Sequence, residues 1–248
     1  RYEDFISYLD KRNKIQEETY WRNYLKGLEQ STFLPFAEKN AERNMGSGIY
    51  ESISLIINES ITAQIQSFAQ QNHLTINTII QGVWSYLLHQ YTGNGEVAYG
   101  IIVSGRPDDL PGVEQRVGMY INTLPLHSHF EKGQNIKDWL QVIQKDQVSS
   151  RNYQYSPLQD VQKLSGVNAE LFDSLLVFEN YPVNKIIGSK KWSLKIDDAD
   201  MFEQTNYPLT IAIDSSEHIN IGFSFNSDLL EKEYVELFRN HLENVLLQ

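Results

Sequence analysis

The chain has 248 residues, no cysteine and a formal net charge of −11, with 21 Lys plus Arg against 32 Asp plus Glu. A chain of this length can bury a hydrophobic core without stabilisation by disulfides or a metal ion. The lack of cysteine excludes disulfides, a thiolate nucleophile and cysteine-based metal sites. The acidic balance argues against nucleic acid and membranes as partners, because both bind basic surfaces.

The composition also sets expectations about location. No apolar run has the length of a membrane span, and we expect no signal peptide. A chain without cysteine fits a reducing compartment, so we expect a cytoplasmic protein. The sequence starts at Arg1, directly in helix-like residues, and we expect it to have been cut from a longer polypeptide.

The N-terminal region predicts helix, an irregular stretch and a strand. Residues 3–28 are helix-like, with the charged Lys11–Lys14 stretch as a break and Gly27 as a stop signal. Residues 29–48 are polar and irregular, the most linker-like part of the chain. Apolar and polar residues then alternate over 53–57, which predicts a strand.

The next elements have clear periodicity. A helix is predicted from Ile61 to about Asn72, and a longer one over 76–91, where apolar residues recur at helical spacing and Gly93 follows as a cap. The β-branched run 97–103 predicts a strand buried on both faces.

An irregular loop with two Gly-Pro-type breaks follows this strand. Val103 to Val117 contains Gly105, Pro107, Pro111 and Gly112, and Val117–Leu126 predicts the strand on its far side. Loops held by a rigid scaffold are where binding and catalysis concentrate. This loop is therefore the first candidate for function.

The C-terminal half continues with alternating element types. The pattern predicts a helix over 135–151, a short helix with Pro157 in its first turn, strands over 174–179, 194–196, 209–213 and 219–225, and a final helix from about Glu231. Strands and helices interleave without regular βαβ units. We therefore predict one α+β domain over 1–248, an α/β sandwich whose mixed, mostly antiparallel sheet is covered by helices.

Four segments in order resemble motifs of the condensation domains of non-ribosomal peptide synthetases. They are Tyr2–Leu9 with Glu18–Leu25, Ser104–Pro107 with Val117–Pro125, Tyr155–Gln162, and Leu171–Pro182. The second is similar to the family's Val-Gly-x-Phe-Ile-Asn-Thr strand motif. Together they cover the chain from its first residues to about residue 182.

The resemblance implies a fold like chloramphenicol acetyltransferase, built as two lobes around a tunnel. It also implies peptide bond formation in secondary metabolism, such as antibiotic biosynthesis. Donor and acceptor would be thioesters on the 4'-phosphopantetheine arms of peptidyl carrier proteins, beside an adenylation domain. No cofactor would be bound directly.

The family's catalytic motif, His-His-x-x-x-Asp-Gly, does not occur among the histidines of this sequence. The chain is therefore expected to be the C-terminal lobe of a condensation domain, without the N-terminal lobe that carries the motif. It would contain no catalytic residue and be inactive alone. The alternative is a non-catalytic module that binds a carrier protein or its phosphopantetheine arm.

The resemblance assigns site residues to three groups. They are the tunnel wall (Gly118, Tyr120, Asn122, Thr123), the floor loop (Gly105, Arg106, Pro107) and the later motifs (Ser156, Pro157, Asn180). For Asn122 the alternative is a buried amide that satisfies backbone groups, and Arg106 could simply pair with Asp108 or Asp109. The face toward the missing lobe would be exposed and could support self-association.

Two histidines complete the set of candidates. His127 stands where the family motif usually ends in arginine, and His129 follows on the same strand face. No nearby carboxylate at a telling spacing completes a set of metal ligands, so we predict no metal site and paired surface histidines.

Overall fold

A six-stranded mixed sheet organises the computed structural model, which describes residues 2–37, 43, 46–179, 204–215 and 218–248. The strands are β1 (Tyr50–Ile56), β2 (Glu96–Val103), β3 (Asn122–His129), β4 (Ser174–Glu179), β5 (Leu209–Asp214) and β6 (Asn220–Asn226). Their order is β1-β6-β5-β4-β2-β3. β4 pairs in parallel with β2 and β5, and the other pairs are antiparallel.

Helices occupy most of the chain between these strands. They are α1 (Tyr2–Asp10), α2 (Lys14–Tyr24), α3 (Glu59–Gln71), α4 (Ile76–Thr92), α5 (Ile136–Ser150), α6 (Leu158–Ser165) and α7 (Lys232–Leu246). Four of the helices begin with an N-cap side chain that accepts hydrogen bonds from backbone amides of the first turn. These N-caps are Asn13, Asn58, Thr75 and Asn135. Within the described ranges, no helix combines the length and apolar character needed to cross a bilayer.

The predicted helix over 76–91 and strand over 97–103 form the centre of the core. Trp84 of α4 is fully buried and donates its Nε1–H to Ser174 Oγ of β4 at 3.3 Å. Tyr99 of β2 donates its hydroxyl to the Gln81 carbonyl of α4 at 2.8 Å. Full burial of each large apolar side chain here contributes about 1.5–3 kcal/mol. Gly93, with φ of 71°, ends α4 as predicted.

Helix α2 covers the free edge of β3. The His127 amide donates to the Tyr24 hydroxyl at 2.9 Å, and the hydroxyl lies 3.5 Å from the His127 carbonyl. An unpaired strand edge is a template for unwanted pairing with other chains. The Tyr24 phenol therefore satisfies edge groups that would otherwise stay open.

The structure corrects two expectations about element boundaries. β3 starts at Asn122 instead of Val117, because its partner β2 ends at Val103, which pairs with Asn122. Pro157 is the N-cap of α6 and not a first-turn residue. The strand predicted over 194–196 lies outside the described residues.

The segment predicted to be linker-like is part of the core where it is described. Thr32 bridges Phe172, and Leu34 is fully buried in the main cluster. Its polar composition hid this role, because a few apolar residues without periodicity give no strand or helix signal.

A buried ion pair fixes this segment to the sheet. Both carboxylate oxygens of Asp173 lie 3.0 Å from the Leu34 amide, which donates to them, and Arg43 Nη1 lies 2.5 Å from Oδ2. Burial raises the pKa of Asp173 to about 6, and Arg43 and the Leu34 amide offset this only in part. A buried pair of this kind is costly to lose from one side, because the remaining charge loses its counter-ion inside the protein.

We predict that Asp173→Ala lowers the free energy of unfolding by about 3–5 kcal/mol, because Arg43 and the Leu34 amide lose their buried acceptor. Denaturant unfolding measures the change. Asp160→Ala is the matched control, since its partner Lys163 and the carboxylate itself are exposed, and it should change stability by less than about 0.5 kcal/mol. Equal effects of the two substitutions would contradict a structural role for the pair.

Candidate functional site

A cleft of about 610 Å³ opens at the carboxyl ends of the parallel strands β2 and β4. Its apolar floor comes from Ile101 and Val103 of β2 and Leu176 and Phe178 of β4. In open sheets with parallel strands, ligands bind in the crevice outside the strand carboxyl ends. The position and size of the cleft make it the candidate site for an organic ligand.

Polar side chains line the upper wall of the cleft. The buried Gln81 of α4 accepts through Oε1 from Gln147 Nε2 of α5 at 2.7 Å. Among the described residues nothing donates to the buried Oδ1 of Asn77, which also lines the cleft. The wall therefore contains a preformed amide pair and one buried acceptor that has no donor among the described residues.

Arg12, at the junction of α1 and α2, holds the opposite wall together. Its guanidinium lies 2.5 Å from both Glu17 Oε1 and the Asn152 carbonyl, and 4.4 Å from the centre of the Tyr155 ring. Residue spacing gives no sign of this role, because Arg12 lies in the charged break between two helices. The contacts fix α1 and α2 relative to the turn that follows α5.

The floor loop is built around a close backbone crossing. Gly105 has φ of 60°, and a Cβ at this position would lie 1.8 Å from the Tyr120 carbonyl oxygen. Arg106 Nη1 donates to the carbonyls of Val113 and Arg116 at 2.6 and 3.1 Å, and its guanidinium lies 4.3 Å from the Tyr120 ring centre. Arg106 therefore braces the loop through backbone carbonyls instead of pairing with a neighbouring aspartate.

The other side of Tyr120 packs on α1 in a small cluster separate from the main core. Tyr120, Phe5 and Val113 are buried together. The Tyr2 ring occupies the space that a Cβ at Gly118 would need, at 2.2 Å, and its hydroxyl donates to the Met119 carbonyl at 2.6 Å. Gly118 and Tyr120 thus hold α1 against the floor loop.

Asn122 connects the start of β3 to the later motif segment. Its Nδ2 donates to the carbonyls of Gln154 and Ser156, both at 2.9 Å, and its Oδ1 accepts from the Thr123 amide at 2.9 Å. Ser156 Oγ in turn donates to Glu17 Oε2 at 3.3 Å. Both donors of the Asn122 amide are engaged, so its geometry suits positioning of this turn.

The predicted site residues thus occupy two neighbouring structures. Arg106 lines the cleft, whereas Asn122, Thr123, Ser156 and the remaining described residues build the loop and turn beside it. Their contact with a tunnel stays a prediction, and Asn180 lies outside the described residues. Gln81 and Arg12 line the cleft without any sequence signal that singled them out.

An exposed apolar strip lies at the entry to β3. Val117, Met119 and Ile121 have 95%, 77% and 54% of their surface exposed. They alternate with Gly118 and Tyr120, which face α1. The three apolar side chains therefore point to the opposite side of this segment, toward solvent. Exposed apolar side chains that adjoin one another in this way are candidates for an interaction surface.

The two histidines of β3 meet a carboxylate from β2. Glu96 Oε2 lies 2.7 Å from His127 Nε2, and Glu96 Oε1 lies 2.6 Å from His129 Nδ1. Spacing along the sequence gives no sign of this carboxylate, because cross-strand register is what brings Glu96 opposite His129. In the described part of the chain, no group of three or more potential ligands is arranged to hold a metal ion.

A family model described as Condensation domain matches residues 1–248. The chain belongs to the condensation-domain family. It is 37% identical over 247 residues to one component of linear gramicidin synthase and 35% identical over 248 residues to tyrocidine synthase 2, both of Brevibacillus parabrevis. These matches cover 99% and 98% of this condensation-family chain but 5% and 7% of the relatives.

Solved structures have the same fold at low identity. The X-domain from teicoplanin biosynthesis matches 96% of the chain with TM-score 0.73 and 17% identity, and the first condensation domain of the CDA synthetase matches 97% with TM-score 0.72 and 14% identity. The chain spans 56% and 52% of these two structures. The predicted family and fold class are therefore confirmed, and the assignment to the C-terminal lobe stays a prediction.

We predict that Gly105→Ala loosens the floor loop, because the new Cβ would collide with the Tyr120 carbonyl in addition to the strain of positive φ. Gly112→Ala is the matched control: its φ is 71°, and a Cβ there meets nothing within 4 Å. The control should cost about 1–2 kcal/mol of unfolding free energy, and Gly105→Ala clearly more. Limited proteolysis of the loop and denaturant unfolding measure both, and equal losses would refute the close crossing.

Proposed function

We propose that this chain forms one half of a condensation domain that makes amide bonds between carrier-bound thioesters. The observation that carries the proposal is the match of the condensation family over residues 1–248, combined with a span of about half of the solved relatives. The sequence has no His-His-x-x-x-Asp-Gly motif. The proton-handling histidine would therefore come from the N-terminal lobe.

In the proposed reaction the acceptor amine attacks the carbonyl carbon of the donor thioester. The C–N bond forms, the C–S bond breaks, and the donor's phosphopantetheine thiol leaves with a proton. Holding the two reactants in line supplies much of the rate enhancement, since positioning alone can contribute about 7–11 kcal/mol in ideal cases. This lobe would contribute to positioning through the cleft, the floor loop and the carrier docking surface.

The proposal extends to partners and location. The carriers would be peptidyl carrier proteins, with an adenylation domain as a neighbour in a longer synthetase. The relatives support this arrangement, because they are much longer proteins named as synthases and this chain matches only a small part of each. We also propose a cytoplasmic location, which the sequence without cysteine fits.

The apolar strip is the proposed contact surface for the complementary lobe. Its three side chains face solvent just before the first residue of β3, which pairs with the last residue of β2. Burying apolar surface contributes about 25 cal/mol per Å². Without that lobe, the same surface would favour self-association.

We predict that the 248-residue chain alone makes no dipeptide from carrier-bound donor and acceptor thioesters. The chain joined to an N-terminal lobe bearing the paired-histidine motif should make it, because general base catalysis supplies about 10²–10⁴-fold. Mass spectrometry of the released dipeptide is the measurement. Dipeptide from the chain alone, or none from the joined lobes, would refute the proposal, and tight binding of a loaded carrier in the latter case would favour the binding module.

We predict that Met119→Asp with Val117→Asp removes concentration-dependent self-association of the chain, because two charges then lie on the apolar strip. Ile136→Asp on α5 is the control, since Ile136 is 65% exposed but lies elsewhere. Sedimentation velocity over a range of concentrations compares the three proteins. A strip variant that associates as strongly as the control would show that the strip is not the contact surface.

A further inference from the structure

The side-chain amide of Gln81 is buried in the wall of the cleft, and only its oxygen has a partner. The residue is 1% exposed and lines the cleft. Its Oε1 accepts from Gln147 Nε2 of α5 at 2.7 Å. No group in the described ranges accepts from Gln81 Nε2, so two N–H donors remain without a partner.

The free donors of Gln81 are in contact with the cleft. Among the described residues, the atoms that are fully enclosed and have no hydrogen bond include Asn77 Oδ1 but not Gln81 Nε2. The Gln81 nitrogen therefore keeps a small open surface, although the rest of the side chain is enclosed. An oxygen acceptor on a ligand in the cleft can reach these donors.

Three hydrogen bonds hold Gln81 in place on α4. Its carbonyl accepts from the Tyr99 and Ser85 hydroxyls, both at 2.8 Å. Its side-chain oxygen is held by Gln147 from the facing helix. A donor that is fixed before the ligand arrives loses little conformational entropy on binding, so its position favours affinity.

A glycine beside Gln81 allows α5 to come close enough for this arrangement. A Cβ at Gly82 would lie 2.2 Å from Leu140 Cδ2 and 3.7 Å from Trp139 of α5. Without that side chain, α5 packs directly on α4, and Gln147 reaches Gln81 two turns farther along α5. The amide pair is thus a product of close helix packing at the cleft wall.

The surroundings of the Gln81 amide favour an uncharged acceptor. Its hydrogen-bond partners are an amide and two hydroxyls, and none of them is charged. The floor of the cleft is apolar and includes Ile101 and Leu176. Removing a charged group from water in such a place costs far more than removing an amide.

We infer that Gln81 is a positioning residue that donates to the carbonyl oxygen of an uncharged amide in the ligand. An amide carbonyl is a strong acceptor without a charge, and the apolar floor suits methylene or methyl groups beside it. The inference rests on the proposed function for the identity of the ligand. A carrier-bound thioester can supply such a carbonyl from its phosphopantetheine arm or from the side chain of the amino acid being joined.

The test measures binding of two small probes to the 248-residue chain. Pantetheine has the amides of the arm without an amino acid, and glutamine methyl ester has a side-chain amide without the arm. Gln81→Met keeps the length of the side chain without a donor. It should weaken binding of one probe by about 5–20-fold, which corresponds to one lost hydrogen bond in a buried site. Calorimetric titration gives the dissociation constants, and the probe that responds identifies the source of the carbonyl.

Gln144→Met is the matched control, because Gln144 also joins α5 to the start of α4 but lies outside the cleft lining. Gln144 Oε1 accepts from the Thr75 amide at 2.9 Å and from the Thr78 hydroxyl at 3.0 Å. The control should leave both affinities unchanged. If Gln81→Met does not fold, the double variant with Gln147→Met replaces both amides by apolar groups, which is better tolerated than removing one partner, and it should show the same loss of binding.

Three results would overturn the inference. They are unchanged affinities in Gln81→Met, equal weakening in Gln81→Met and Gln144→Met, and no binding of either probe to the native chain at about 10 mM. Dipeptide synthesis by the joined lobes tests the proposed function separately. Native kcat and KM in joined lobes with Gln81→Met would contradict the inference alone, whereas probe binding that depends on Gln81 without any dipeptide would support the inference and contradict the proposed function.

Discussion

The backbone crossing of Gly105 beneath the Tyr120 carbonyl is the constraint on which the candidate site depends. The crossing lies just beyond the last paired residues of β2 and β3, and it leaves no room for a side chain at Gly105. Because the two segments part at this point, the floor loop turns toward the cleft and the residues before β3 turn their apolar side chains outward. Arg106 then fixes the loop by binding its carbonyls and covering the Tyr120 ring.

Much of the fold follows from periodicity in the sequence. The helix over 76–92 and the strand over 174–179 were predictable because their apolar residues recur at one spacing and a core receives them. The entry to β3 was not, since Val117, Met119 and Ile121 alternate like a strand although β2 offers no partner there. Alternation in the sequence shows which side chains share one face of an extended segment. Where the strand begins and ends depends on how far the partner strand can pair with it.

The site was predictable only where a motif carried it. The resemblance singled out Asn122 and Ser156, and the structure joins them through a single carbonyl. Gln81, Arg12 and Glu96 gave no local signal, because their roles arise from residues far away in sequence that the sheet brings close. Their contacts depend on register, which composition and spacing leave open.

The opposite placement of the cleft and the histidine cluster along β2 has a consequence for communication between them. Eight residues of extended strand span roughly 23 Å, whereas charges in physiological salt are screened over about 8 Å. A change of charge at Glu96 therefore has little direct electrostatic effect on a ligand in the cleft. Any influence between the two ends must be mechanical, carried by displacement of α2 and the turn it supports.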